Sequence, residues 1–199
     1  NLTATGTTIK WYTTSSGGTA LATTTALVNG NHYFASQTIS GCEGTARLDV
    51  TAIVNPTVGT PTAITFPAGT EPTCQLTNAT TTTSYTTTAS NNTGFNWSLS
   101  NPAAGSINAT TGVMTWANGF SGSVNIQVTA NGCNGPSAQV VRTILVNPLP
   151  AAAGTISGTA VVCQGQTNII YSVPAIVNAT TYIWTLPTGA TIASGSGTN

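Results

Sequence analysis

The stretch "AQVVRTILVNPLPAAAG", Ala138–Gly154, has a near copy earlier in the chain, "ARLDVTAIVNPTVGTP" at Ala46–Pro61. Each begins with an alternating run of apolar and polar residues, the period-2 pattern of a strand with one buried face. Each run ends in Val-Asn-Pro and passes into a Pro/Gly-rich segment, which reads as a final strand followed by a short stiff linker. The Val54 and Val146 signals lie 92 residues apart. That period suits a two-sheet immunoglobulin-like sandwich of ~100 residues. It divides the chain into 1–55, 56–147 and 148–199. The middle stretch is a complete module, the first is the C-terminal part of one, and the last is the N-terminal part of another.

Composition agrees with an all-β chain. Among 199 residues, 40% are hydrophobic, enough for packed cores, and only 3% are charged, against roughly 25% in an ordinary domain. Thr, Ala, Asn, Ser and Gly dominate, and strong helix formers are scarce: there is one Met and Lys10 is the sole lysine. A polar, low-complexity chain invites a disordered reading. Trp, Tyr, Phe, Ile and Val recurring at strand spacing argue against it, and β-branched Thr favours strands. Formal net charge is zero, so the chain lacks the clustered Lys and Arg that nucleic-acid backbones require and has no basic patch for a membrane surface. No apolar run approaches the ~20 residues of a spanning helix, so membrane insertion is not expected. The opening residues Asn1–Thr5 have neither the basic nor the apolar region of an export signal.

Asn29-Gly30, Asn118-Gly119, Asn131-Gly132 and Asn134-Gly135 are candidate tight turns. Three aromatic strands, "IKWYTT" (Ile9–Thr14), "FNWSLS" (Phe95–Ser100) and "YIWTLP" (Tyr182–Pro187), place Trp11, Trp97 and Trp184 at one equivalent core position in three modules. In immunoglobulin-like sandwiches such a Trp packs beside a disulfide joining the sheets. Cys74 precedes Trp97 by 23 residues and Cys163 precedes Trp184 by 21, while Cys42 follows Trp11 by 31 and Cys133 follows Trp97 by 36. The expectation is therefore a Cys74–Cys133 bond in the middle module. Cys42 and Cys163 become half-pairs whose partners lie outside these residues, the chain being a window on a longer tandem array. The alternative is four free, buried thiols.

The residues that carry this reading also carry a resemblance. "IKWYTTSSGGTALATTTALVNGNHYFASQTISGCEGTARLDVTAIVN" resembles the Ig-like repeat of large secreted surface proteins of Bacteroidota. The matching features are its Trp-Tyr pair, "GGTAL", "NGNHYFASQT" and the Cys before "RLDVTAIVN". "ISGTAVVCQGQTNIIYSVPAIVNATTYIWTLPTGATIASGSGTN" is similar to the PKD-like repeat of the same proteins, through "VCQGQ", "YSVP", "ATTYIWTLPTGA" and "GSGTN". The middle stretch matches more loosely, its "GSINATTGVMTW" resembling a hairpin common in bacterial Ig-like repeats. The resemblance implies adhesins, gliding or attachment filaments and multidomain secreted enzymes, exported to the cell surface or beyond. It implies no catalytic residues.

No catalytic, cofactor or metal constellation emerges. His32 is the only histidine and reads as a strand-surface residue. Glu43, Asp49 and Glu71 are the only carboxylates and form no Asp cluster of the kind that holds calcium. Lys10 alone could form a Lys–Asn isopeptide bond; alternation turns it to solvent and Trp11 inward. The expected function is structural: part of an extracellular stalk or filament serving adhesion, motility or fibre assembly, with neighbouring repeats or identical chains as partners. The alternative is an accessory module of a secreted enzyme that binds glycans, with Trp116 as the stacking residue. Trp116 reads more readily, however, as a hairpin Trp covering a sandwich edge.

Overall fold

A computed structural model describes residues 2–78 and 80–198. The chain is all-β. Among the described residues there are fourteen strands, one 3-10 turn at Pro102–Ala104 and no α-helix.

The principal core lies in the middle of the chain. Two antiparallel sheets face each other there. One has the order β6-β7-β10-β9, from β6 (Thr65–Gly69), β7 (Thr82–Thr86), β10 (Val113–Trp116) and β9 (Gly105–Ile107). The other has the order β12-β11-β8, from β12 (Val140–Val146), β11 (Gly122–Gly132) and β8 (Asn92–Leu99). Alternation decides which side chains enter. Val124, Ile126, Val128 and Ala130 of β11 are buried while the residues between them are not. Val124, Ile126 and Val128 meet Met114 and Trp116 of β10, Tyr85 of β7 and Trp97 of β8 in one apolar cluster. Phe95 and Tyr85 flank Trp97 at ring-centroid distances of 6.5 Å each.

Two glycines make this packing feasible. Gly112, at φ +71°, turns the β9–β10 connection against the face of Trp97, and a Cβ there would stand 2.8 Å from the indole. Gly69, at φ +87°, ends β6 where a Cβ would strike the Thr82 carbonyl oxygen. Beyond Gly69 the chain leaves one sheet for the edge of the other, where Cys74 bridges Asn147 in parallel.

The turn expectations divide. Gly30 and Gly119 adopt left-handed φ of 80°, and Asn134 takes φ 55° in the connection from β11 to β12. Asn131-Gly132 is not a turn. It lies within β11, still paired with β8, at a register shift. The ladder to Gly94 and Asn92 continues through it as a bulge.

Before the sandwich, β1 (Lys10–Tyr12), β2 (His32–Ser36) and β5 (Leu48–Thr51) form a sheet of order β1-β2-β5. A hairpin of β3 (Thr38–Ile39) and β4 (Cys42–Glu43) closes through Ser40 and Gly41, both at positive φ, the signature of a two-residue primed turn. After the sandwich, β13 (Ser157–Gly158) and β14 (Tyr171–Ser172) pair over two residues each. The expected strand at Tyr182–Pro187 is not a strand. Ile183 is 95% exposed, and no neighbouring strand supplies the ladder that an extended segment needs.

Candidate functional site

The structure sets the cysteines far apart. Val58 donates its amide to the Cys133 carbonyl where the chain enters the sandwich, one residue beyond the end of β11. Cys74 pairs with Asn147 at the opposite end, where β12 and the start of β11 meet. Both thiols are free and exposed, as are Cys42 and Cys163. The Cys74–Cys133 bond expected from spacing is therefore corrected. The length of β11 separates two positions whose Cα atoms would need to lie within ~7 Å. Nor are the thiols buried, as the alternative supposed.

Trp97 sits in the core. Trp11 does not: it is half-buried, and its neighbour Tyr12 is the buried residue of β1. Trp184 is likewise half-buried, its indole N–H donated to the Thr198 carbonyl. It lines an open groove of about 250 Å³ with Val173, Ile176 and Tyr182. Trp116, read as a candidate for stacking on ligand, is 4% exposed and belongs to the core. Its Nε1–H is donated to Thr83 Oγ1 at 2.9 Å, and the Thr83 hydroxyl in turn is donated to the Thr70 carbonyl. A fully satisfied buried network holds it there.

What holds the two sheets together at their edge is an ion pair. Arg142 alternates inward with Val140, Ile144 and Val146 on edge strand β12. Its Nε and Nη2 meet Glu71 Oε1 and Oε2 at 2.6 and 2.8 Å, a bidentate pair. The guanidinium carbon stands 4.9 Å from the centre of the Phe66 ring. Tyr85 donates its hydroxyl to the same carboxylate at 3.0 Å. Burial, first, and the Glu71 charge beside it push the Tyr85 phenol well above its ordinary range. The hydrogen bond to Glu71 raises Arg142 further.

A second cluster occupies the first sheet. Glu43 accepts from Tyr12 Oη, from Ser36 Oγ at 2.7 Å and from Lys10 Nζ at 2.9 Å. These hydrogen bonds, with Tyr12's the largest effect, lower the Glu43 carboxyl to about 2. The Arg47 guanidinium lies 3.4 Å over the Tyr12 ring, and its Nη1 donates to the carbonyls of Thr14 and Gly17, pinning that loop. Lys10 is thus held by Glu43 rather than by an asparagine, and it is raised by that hydrogen bond. His32 Nδ1 lies 2.9 Å from Asp49 on the exposed side of β2.

All three carboxylates and the lone histidine are therefore engaged with a partner. Among the described residues, no carboxylate or histidine stands unpartnered beside a nucleophile. Among the described residues no three His, Cys, Asp or Glu side chains come close enough to hold a metal ion. Sequence reasoning did not anticipate Arg142–Glu71. The available signal was a charge at an inward position of an otherwise apolar strand.

Two family models match parts of the chain. Residues 1–56 match an Ig-like domain described as CHU_C associated, and residues 149–199 match a PKD-like domain. Both kinds of module are typical of extracellular proteins and are typically non-catalytic. No curated protein matches the chain. Ig-like and PKD-like segments thus flank a central β-sandwich.

Proposed function

We propose that this chain is a structural segment of an extracellular stalk or filament built of tandem Ig-like and PKD-like modules, displayed at the surface of a Bacteroidota-type cell and serving adhesion, motility or fibre assembly. One observation carries the reading. The chain enters the central sandwich beside Cys133 and leaves it at Asn147, at opposite ends of β11. A module traversed from pole to pole extends the assembly by its own length, whereas one entered and left at a single pole would hang from it. With modules at 1–55, 56–147 and 148–199, the Pro-containing junctions act as short spacers. Neighbouring repeats or identical chains are the partners. The rival reading, a sugar-binding accessory module, loses its stacking residue because Trp116 is enclosed.

The test uses cells that make the protein. An antibody against residues 57–147 should label intact cells, and protease treatment of whole cells should abolish the signal. Labelling that appears only after lysis would refute the proposal.

A further inference from the structure

The same wiring determines how the central sandwich would meet a pull. Residues 71–75 run parallel to the end of β12. Gln75 N–H is donated to the Asn147 carbonyl at 2.8 Å, and Asn147 N–H to the Thr73 carbonyl at 3.0 Å. The Asn147 side-chain amide is donated to the Thr73 carbonyl as well, and Leu149 N–H to Gln75 Oε1 at 3.2 Å. Just upstream on both segments, Glu71 and Arg142 form their bidentate pair. Tension between the linkers draws residues 71–75 toward the entry pole, from their N-terminal side. It draws β12 toward the exit pole, from its C-terminal side. Parallel neighbours pulled in opposite directions along their length slide past each other, so these bonds are loaded together. The β11–β12 ladder is antiparallel and continuous from Gly122↔Val146 to Val128↔Val140. Pulled apart at its Val146 end, it would open one pair at a time.

We propose that residues 71–75, Asn147 and the Glu71–Arg142 pair form a shear clamp that lets the central sandwich carry tension from one linker to the other. The inference deepens the stalk reading and rests on it for its biological use, while the clamp itself is a property of the isolated chain. The Arg142–Glu71 pair is non-covalent, so it can break under load and re-form when the module refolds.

Single-molecule force spectroscopy on the full chain tests this, with handles first at its two ends. Rupture of the central sandwich is recognised by release of about 30 nm of chain, from the extended reach per residue. At constant force, Glu71→Gln should shorten the lifetime at least tenfold, the E71R/R142E charge swap should restore most of it, and K10Q in the first segment should leave it unchanged. A second attachment, through S121C and P148C in a chain whose natural cysteines are serine, peels β12 from β11. Rupture should then occur at a clearly lower force, and E71Q should change that lifetime far less. A merely structural ion pair would shorten both lifetimes alike. Equal rupture forces along the two axes, or equal effects of E71Q on them, would overturn the clamp. Absence of surface labelling on cells would instead refute the stalk reading and leave the clamp standing.

Discussion

Trp116 and Thr83 meet through a buried hydrogen bond, indole Nε1 to hydroxyl at 2.9 Å, joining the end of β10 to β7. The contact fixes a large residue in a core that has no covalent cross-link. W116F keeps an aromatic ring smaller than the indole and leaves the Thr83 hydroxyl without its donor, and should cost at least about 1 kcal/mol. W116A also leaves a cavity and should cost about 3–5 kcal/mol. Urea unfolding of the two variants checks the order, and a cost near zero for W116A would place Trp116 outside the core.

Arg142 and Glu71 behave as a unit. R142A leaves the Glu71 carboxylate facing the sandwich with its main partner gone. A third of the Arg142 side chain is exposed, so the loss should be roughly 2 kcal/mol, below the range for fully buried pairs. E71L/R142M, which replaces both with apolar groups, should lose distinctly less than either single change. Chemical denaturation of the set decides it, and additive costs would contradict the coupling.

Acid should loosen the contacts that Glu43 makes in the first segment. Glu43 is held at about 2 in the fold, below the ordinary carboxylate range near 4.3. A depressed folded-state value means that its contribution is complete above the unfolded value and fades as pH falls from there toward about 2. Near-ultraviolet circular dichroism, followed for a change that E43Q abolishes, tests this. A transition surviving in E43Q would assign it elsewhere.

Tyr85 should resist ionisation. In a spectrophotometric titration its phenol should stay protonated above the ordinary tyrosine value near 10, because burial and the Glu71 charge both oppose the phenolate. Y85F should leave the early titration unchanged, and a loss of amplitude near pH 10 in that variant would refute the assignment.

How far the sequence could be read depends on which physics each feature obeys. Alternation in "AQVVRTILVN" placed β12 and its buried face, because a period of two is local to the strand. Trp97 reads as a core residue from the repeated aromatic strands, a reading that the half-buried Trp11 and Trp184 do not share. The Cys74–Cys133 expectation failed because residue spacing carries no direction. The crossover at Gly69 brings Cys74 to the exit pole, and β11 runs on through Asn131-Gly132 to leave Cys133 at the entry pole. Trp116 reads first as a hairpin Trp covering apolar surface, with ligand stacking as the lesser reading; its place in the core depends on the facing sheet, which no local pattern reports. The partner of Arg142 was not legible, because Glu71 lies 71 residues away in sequence.

Traversal from pole to pole is the claim on which the stalk and the clamp both depend, and one distance tests it. Spin labels on Cys74 and Cys133, with Cys42 and Cys163 changed to Ser, should attach to the native protein without reductant. Double electron–electron resonance should then give a single population near 35 Å, the span of β11 at about 3.3 Å per residue. Thiols that label only after reduction, or a separation below about 15 Å, would put both cysteines at one level of the sandwich and contradict the account.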